Sequence, residues 1–348
     1  RSYITVQERE PLGKLLPEQS GQEGVTIYGK PLTPPKKQIR LLKPGKNVSI
    51  QNGIVYADHD GLFVLEGDTF RVEETLEIKG DVDYSVGHVE FPGDVIIHGE
   101  IRDGFNISAT GTITCMSTVD ASEIFTKKDF IAKQGIIGRG KGIIRAAGSI
   151  TAKFAENCIL ESLSTITLSG GLFHCQVAAL GSIDLGDKGR VVGGELRSFQ
   201  NIRCGSAGNQ AQTTTTIYAG LHFVVERRLK YVQERQTAAT FSLQEVEKDL
   251  KHKPTEKLQQ LRNQLKQTLE NLQKISSDLL ATLYNPEETT VTITGKVYPG
   301  VRICMGGATY VVEQETNRVQ FRLDRTANKV LMEPITTPSS PGETRDRQ

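Results

Sequence analysis

The chain has 348 residues, with 42 basic and 41 acidic side chains and a formal net charge of +1. This balance gives no general attraction for nucleic acid, and no run of Lys and Arg resembles a recognition helix. No stretch approaches the roughly 18 uncharged apolar residues of a membrane span, so none is predicted. Five cysteines at irregular spacing, without a CxxC pair, are typical of reduced thiols and favour a cytoplasmic location.

Residues 1–72 predict a small N-terminal β domain. Gly, Pro and Asn residues separate short β-like runs, and Asn52-Gly53 between Val48–Ile50 and Ile54–Tyr56 is a strong β-hairpin signal. The chain begins at Arg1 rather than Met, so we expect this domain to be truncated. The open end of a solenoid exposes strand edges that invite pairing, and this domain would cap that end.

Residues 73–220 predict a parallel β-helix. A turn position, occupied mostly by Gly, recurs between Leu76 and Cys204 at intervals of 13 to 20 residues. An apolar residue stands four positions before and two positions after every turn, so two short strands meet at a corner and point alternate side chains inward. Coils of this kind stack and bury a continuous core. The aligned turn positions are Gly80, Gly93, Gly111, Lys128, Gly148, Ser164, Gly181 and Gln200.

A left-handed hexapeptide β-helix is the main alternative architecture, because the two apolar columns lie six residues apart. Its third inward position would hold Glu156 and Gly189, which are poor core residues. The coil length also varies, whereas the hexapeptide form keeps a constant coil. We therefore predict the right-handed, irregular form.

Residues 221–285 predict an antiparallel α-helical coiled-coil hairpin, with its joint near Lys251–Thr255. Ile217–Ala219 and Thr290–Ile293 have the pattern of two strands of one coil, so the hairpin would be an insertion at a corner. Residues 286–332 would complete the last rung and cap the far end, and residues 333–348 predict a disordered tail. The candidate hairpin seam is a heptad series of leucines, namely Leu258, Leu265, Leu272 and Leu279.

These features resemble the bacterial family named flagellar assembly protein A. Four segments carry the resemblance, which extends over roughly residues 10 to 325: Leu76–Asp83, Gly135–Gly142, Ala152–Asn157 and Gly295–Val301. The resemblance implies a β-solenoid, a cytoplasmic protein and a link to flagellar assembly or placement. It supplies no catalytic residues.

The glycine-rich octapeptide Gly135–Gly142 nearly satisfies the phosphate-loop pattern GxxxxGK[ST], but Gly142 replaces the hydroxyl residue that would hold magnesium. The motif also needs a helix after it, and here another β rung follows, so no nucleotide cofactor is predicted. Two interpretations stay open: a partner- or anion-binding loop that exposes its two cations, and a structural bulge. The candidate loop residues are Gly135, Gly138, Arg139, Gly140, Lys141 and Gly142.

Parallel β-helices also serve as scaffolds of polysaccharide-degrading enzymes. Seven aspartates could supply carboxylates for such chemistry, namely Asp81, Asp83, Asp94, Asp103, Asp120, Asp129 and Asp184. Asp81, Asp94 and Asp129 follow the turn position, where Asp bonds to the backbone. The chain has no Trp to stack on a sugar. We therefore predict no catalytic residue.

Two cysteines of neighbouring coils, Cys158 and Cys175, fall in one predicted column. A disulfide between them is geometrically conceivable, and a reduced buried pair is favoured. His174 beside Cys175 is a conceivable metal nucleus, but zinc needs four ligands at defined spacing. Ordinary packing is therefore predicted for these residues, with no metal and no cofactor.

The sequence as a whole predicts a non-enzymatic cytoplasmic scaffold or adaptor. Its expected partners are flagellar or cell-pole proteins, and the hairpin would dock them or join two copies of the chain. A polymer-forming cytoskeletal β-solenoid is the first alternative, and a carbohydrate-active β-helix enzyme is the second.

Overall fold

The computed structural model of the protein describes residues 3–16, 21–34 and 42–335. Most of the predicted tail, from residue 336 onward, lies outside these ranges. The described residues form short strands and two long helices, so the predicted mainly-β fold is confirmed.

Among the described residues of the N-terminal end, nine short strands form three small sheets. The predicted hairpin is confirmed: Val48–Gln51 pairs antiparallel with Ile54–Ala57, and Asn52 and Gly53 both have positive φ, as a type I′ turn requires. Leu62 packs against the solenoid core, so this region covers the first coil. The strands are β1 (Thr5–Val6), β2 (Pro11–Lys14), β3 (Gly24–Val25), β4 (Pro31–Leu32), β5 (Lys43–Pro44), β6 (Val48–Gln51), β7 (Ile54–Ala57), β8 (Gly61–Glu66) and β9 (Thr69–Glu73).

A parallel β-solenoid follows, in which each strand pairs with the equivalent strand of the next coil. Its strands before the helices are β10 (Thr75–Ile78), β11 (Val89–Phe91), β12 (Asp94–Ile97), β13 (Ile107–Ala109), β14 (Ile113–Cys115), β15 (Glu123–Thr126), β16 (Phe130–Ala132), β17 (Gly135–Ile137), β18 (Ile143–Ala146), β19 (Ile150–Glu156), β20 (Ile159–Ser162), β21 (Ile166–Ala179), β22 (Ile183–Asp184), β23 (Arg190–Ser198), β24 (Ile202–Cys204), β25 (Ser206–Ala207) and β26 (Thr215–Ala219).

The strands stack into three ladders, each with a central inward column whose members are at most 5% exposed. The first-ladder column is Val89, Ile107, Ile124, Ile144, Leu160, Val177, Leu196, Ile217 and Ile303. The second-ladder column is Leu76, Val95, Ile113, Phe130, Ile150, Ile166, Ile183, Ile202 and Val291. The third-ladder column is Val82, Ile101, Val119, Ile136, Ala155, Leu172, Val191, Ala207 and Val297.

The first coil corrects the sequence alignment. We aligned Gly80 with Gly93, but the structure places Gly99 on Gly80 through a backbone hydrogen bond of 3.1 Å, and pairs Leu76 with Val95 instead of Val89. The alignment slipped by one corner because every corner has apolar residues at similar spacing on both sides. From Gly93 onward the predicted register is confirmed.

The third inward column also differs from expectation. Ala155 and Val191 occupy the positions that constant spacing assigned to Glu156 and Gly189, because the pairing register shifts between Ala152 and Phe154 and the corners differ in length. One argument against the left-handed hexapeptide form is therefore removed. The right-handed sense of the coil stays a prediction.

Inward hydroxyl groups brace the corner after the first ladder in alternate coils of the central solenoid, from Thr126 to Ser198. Ser162 Oγ donates to the Gly148 carbonyl of the preceding coil at 2.7 Å and accepts the Ser164 N–H at 2.9 Å. Thr126 and Ser198 make the same pair of bonds two coils away on either side. Alanine occupies the position in the intervening coils, so the corner repeats every two coils. The full column is Phe91, Ala109, Thr126, Ala146, Ser162, Ala179, Ser198, Ala219 and Met305.

The two helices interrupt the solenoid, as predicted. They leave after β26, and the solenoid resumes with parallel pairing of β27 to β24 and of β28 to β26. Antiparallel strands then close the end, with β30 on β27, β31 on β30 and β29 on β28. The elements are α1 (Phe223–His252), α2 (Glu256–Thr282), β27 (Thr290–Val297), β28 (Arg302–Met305), β29 (Ala308–Val311), β30 (Thr316–Asp324) and β31 (Lys329–Pro334).

Ser162→Ala should lower the free energy of unfolding by about 1–2 kcal/mol, because it leaves the partly buried Ser164 N–H and Gly148 carbonyl without their partner. Urea unfolding measures the change. Ser169→Ala, at an exposed position of β21, is the matched control and should change stability by less than about 0.5 kcal/mol. Equal effects of the two substitutions would show that the hydroxyl brace contributes nothing.

Gly99→Ala and Gly80→Ala test the corrected register of the first coil. A Cβ on Gly99 would lie 2.4 Å from the Gly80 carbonyl carbon and from Asp81 Oδ1, whereas a Cβ on Gly80 meets no atom within 4 Å. We expect Gly99→Ala to destabilise the protein by about 1–3 kcal/mol and Gly80→Ala to have little effect, by urea unfolding. The opposite order would contradict this stacking.

Candidate functional site

The helical arm, defined as residues 222–283, leaves the solenoid at the corner after the first ladder. His222 caps α1, since its Nδ1 accepts the Val225 N–H at 3.3 Å. The His222 N–H donates to the Leu283 carbonyl at 2.9 Å and so ties the two ends of the arm together. Burial lowers the pKa of His222, which favours the neutral ring that this cap requires.

A small apolar cluster holds the root of the arm. Leu221, Leu229 and Leu283 are buried together, and the partly buried side chains of Val225 and Leu279 pack against them. Leu279, the last residue of the predicted seam, therefore lies at the root. Tyr218 of the solenoid contacts the same cluster, which joins the arm to the last coils.

Ion pairs join α1 to the wall, the outward face of the first ladder. Glu161, whose side chain is 14% exposed, accepts Arg145 at 3.0 Å and Arg227 of α1 at 2.5 Å. Glu226 of α1 pairs with Arg197 of the wall at 3.3 Å. We name these five residues the clasp. The wall column is Glu90, Ser108, Phe125, Arg145, Glu161, Ala178, Arg197, Tyr218 and Cys304.

The clasp sets the direction of the arm. Glu161 lies three coils before Tyr218, the wall residue of the coil that α1 leaves. Because the fifth residue of α1, Arg227, already reaches Glu161, the helix leans back over earlier coils. In the described part of the chain, no ion pair or hydrogen bond joins the arm to the solenoid between residues 230 and 282.

Beyond its root the arm is a packed pair of helices. The predicted seam residues Leu258, Leu265 and Leu272 are only partly buried, and α2 has no fully buried residue. Val232 and Val246 of α1 are buried. Thr255 caps α2 after a three-residue joint, close to the predicted position. Supercoiling of the pair stays a prediction.

Two aromatic side chains of α1 face away from this seam. Tyr231 is 57% exposed and Phe241 is 62% exposed. At 100° per residue, Phe241 lies on the same side of α1 as Phe223 and as Arg227, whose guanidinium reaches Glu161 of the wall. The arm therefore presents aromatic surface on the side that faces the solenoid.

The glycine-rich loop is built by close packing. The N–H groups of Gly138 and Gly140 donate to the Glu156 and Asn157 carbonyls of the next coil at 2.8 and 2.7 Å. The N–H groups of Lys141 and Gly142 both donate to the Gly138 carbonyl at 2.8 Å. These four donors are thus engaged within the fold.

Packing also explains two of the glycines. A Cβ on Gly138 would lie 2.4 Å from the Cys158 Cβ, and one on Gly135 would lie 2.1 Å from the Phe154 ring. Arg139 has a φ of 47° and pairs with Asp120 at 2.6 Å, while Lys141 is exposed. Of the two cations that could meet a partner, Lys141 is the more available.

The two predicted surfaces flank one wall. The loop precedes β18, where the chain enters the first ladder, and the arm follows β26, where the chain leaves it. The wall between them carries Phe125, which is half exposed. The structure therefore brings both predicted surfaces to the borders of the first ladder.

Three turn carboxylates have structural partners. The Oδ1 atoms of Asp81, Asp94 and Asp129 accept backbone N–H groups of the next coil at 2.6 to 2.9 Å. This backbone bonding is what their place after the turn predicted. Among the described residues, no group of three His, Cys, Asp or Glu side chains could hold a metal ion.

A cleft of about 850 Å³ separates residues Thr5–Glu10 from the first coils. Glu90, Phe125 and Lys127 line its solenoid side. Its described lining mixes side chains of both charges with apolar side chains.

Sequence reasoning missed the residues that fix the arm. Glu161, Arg197 and Arg227 are charged residues at outward positions, with no distinguishing sequence pattern. They fix the arm because the fold brings distant segments together, so that Glu161 pairs with Arg227 and Arg197 pairs with Glu226. His222 was also missed, because histidine is an uncommon N-cap. The one available signal was the place of Glu161 in an outward column.

The architecture defines a class of protein: a parallel β-solenoid that carries an inserted helical arm. Residues 74–329 match the family model described as the Flagellar Assembly Protein A beta solenoid domain, and residues 1–68 match the model of its N-terminal region. The chain belongs to the flagellar assembly protein A family, which ties it to flagellar assembly. No curated protein and no solved structure matches the chain.

The helices were also compared with the requirements of a membrane span. In residues 3–16, 21–34 and 42–335, none of the helices is both long enough and apolar enough to cross a membrane.

Glu161→Gln should loosen the root of the arm. The variant loses two ion pairs, of which the arginine sides are half exposed, so we expect a loss of stability of only about 1 kcal/mol. Hydrogen exchange at residues 223–230 should become several-fold faster. Asp187→Asn, which breaks the exposed pair with Arg203, is the matched control and should leave that segment unchanged. Unchanged exchange in Glu161→Gln would show that the apolar cluster alone holds the root.

Proposed function

We propose that the chain is a non-enzymatic scaffold or adaptor in flagellar assembly or placement. The observation that carries the proposal is the arm, which is held at its root by the clasp and has aromatic side chains left uncovered beyond it. A rigid rod with a projecting helical arm suits a role in which one protein holds another in position. The partners we propose are flagellar or cell-pole proteins.

The arm and the wall together form the proposed docking surface. Tyr231 and Phe241 supply large apolar area, as residues that dominate interface energetics commonly do. Phe125 of the wall and Lys141 of the loop extend the surface on the solenoid side. The same surface could instead join two copies of the chain through their arms. In that case the predicted leucine seam would hold α1 against α2 within each arm, and the exposed aromatic side chains would make the contact between copies.

Two further properties are part of the proposal. The irregular spacing of the five cysteines, without a CxxC pair, supports a cytoplasmic location. The backbone bonds of the turn carboxylates support a protein without enzymatic activity, because those oxygens are occupied by the fold. A carbohydrate-active enzyme would need two carboxyl groups free to act on one glycosidic bond.

A polymer of solenoids stacked end to end is the second candidate function. The described end structures disfavour it, since β29 to β31 cover the last coil with antiparallel strands and the N-terminal sheets cover the first. Stacking would require those strands to move away from the ends.

The double variant Tyr231→Ser with Phe241→Ser tests the docking surface. We expect crosslinked affinity capture from the native cell to recover flagellar or cell-pole proteins with the unaltered chain and to lose most of them with the variant. Tyr84→Ser removes an aromatic ring on the first coil that is 96% exposed, more than either arm residue, and should leave recovery unchanged.

Analytical ultracentrifugation of the same proteins separates the alternatives. If the unaltered chain forms dimers that the arm variant abolishes, the arm joins two copies. Large assemblies that both variants retain would favour the polymer. Recovery of the same partners with and without the arm aromatics would overturn the docking surface.

A further inference from the structure

Two cysteines lie side by side in the core of neighbouring coils. Cys158 comes directly before β20, and the pairing of Ile159 with Gln176 places it in register with Cys175 of β21. The two Sγ atoms are 3.6 Å apart, and the residues are 4% and 0% exposed. In-register neighbours in parallel strands have Cα atoms about 4.8 Å apart, which lies within the range that a disulfide spans.

The other cysteines cannot form this kind of pair in the folded chain. Cys115 and Cys204 share a column of the second ladder, but several coils separate them. Cys304 lies on the outward face of β28, beside Thr309. Of the five cysteines, only Cys158 and Cys175 are therefore close enough in the folded chain to form a disulfide.

The folded protein shields this pair from reagents. The adjacent Cys175 sulfur, and after it burial, raise the pKa of Cys158 well above its ordinary value. Because the thiolate is the nucleophile in thiol–disulfide exchange, the Cys158 thiol should react slowly with an oxidant. Neither sulfur can meet a bulky reagent without separation of the coils.

We propose that Cys158 and Cys175 are a disulfide site whose redox state is set when their coils stack and is then retained. In an oxidising medium, the thiolate of one cysteine attacks glutathione disulfide, forming a mixed disulfide and releasing one glutathione thiolate. The thiolate of the second cysteine attacks the sulfur of the first cysteine in this mixed disulfide, closes the protein disulfide and releases the second glutathione thiolate. In net terms, two protein thiols and one glutathione disulfide give one protein disulfide and two glutathione thiols.

The crosslink would join two coils beneath the clasp. Glu161 lies on β20, three residues after Cys158, so the disulfide would fix the coil that receives Arg227. Closing this short loop restricts the unfolded chain, and the oxidised protein should therefore melt several degrees higher than the reduced one.

The experiment compares two routes of oxidation in the full chain. One sample is purified reduced and exposed, folded, to glutathione disulfide. A second is unfolded in guanidinium and refolded in glutathione disulfide. Trypsin cleavage after Lys153 and Lys188 leaves both cysteines in one peptide, so their disulfide appears as a loss of two hydrogens without linked peptides. Cys175→Ala is the matched control and should show no such loss.

We expect the refolded sample to carry the disulfide and the folded sample to stay reduced. We also expect dithiothreitol to reduce the refolded sample only after unfolding. Refolded protein with this pair reduced, or with random pairing among the five cysteines, would overturn the site. Rapid oxidation of the folded sample would overturn the claim that folding sets the state. If refolding yields no folded protein, expression in hosts with reducing and oxidising cytoplasm provides the same comparison.

Discussion

Backbone hydrogen bonding between stacked coils is the interaction on which the rest of the structure depends. A single coil has no core of its own, and its apolar side chains become buried only when the coils above and below supply the other walls. The three inward columns are the result, with Val, Ile and Leu repeated in register. Every surface feature, including the arm and the loop, is positioned by the coil from which it leaves.

Stacking places its strictest demand on the corners. A corner brings one backbone directly over another, so Gly111, Gly148 and Gly181 each lie where a Cβ would meet the turn below. The intervening corners use other residues and gain a hydroxyl brace instead. Along this corner, coils with a glycine at the turn therefore alternate with coils in which a Ser or Thr hydroxyl bonds the turn backbone.

Much of this architecture could be predicted from local pattern. The apolar columns, the Asn52-Gly53 hairpin, the inserted helices and the backbone role of Asp94 all follow from residue type and spacing. The first coil could not be aligned, because Gly80 and Gly93 both have apolar residues four positions before and two positions after them. They differ only in the glycine of the next coil that stacks on them, which is Gly99 for Gly80 and Gly111 for Gly93. In the third column, Ala155 replaces the predicted Glu156 because the strand pairing shifts by one residue between Ala152 and Phe154. No residue pattern in the sequence indicates this shift.

The site was predicted less completely than the fold. The heptad leucines located the arm, but they say nothing about its direction, which depends on Glu161 and Arg227, residues that are 66 positions apart. The glycine-rich loop was noticed for its likeness to a phosphate loop. Its glycines instead serve contacts with Phe154 and Cys158 of the next coil. Contacts between distant segments explain both differences.

The clasp also changes how the rod should respond to stress. In a plain solenoid each coil contacts only its neighbours, so unfolding can begin at either end and proceed one coil at a time. Here an arm that starts beside Tyr218 is bonded to Glu161, three coils away, and spans the coils between them. Separation of those coils one at a time therefore also requires release of the arm at Glu161. We expect the coils from Glu161 to Tyr218 to unfold more cooperatively than coils that the arm does not span.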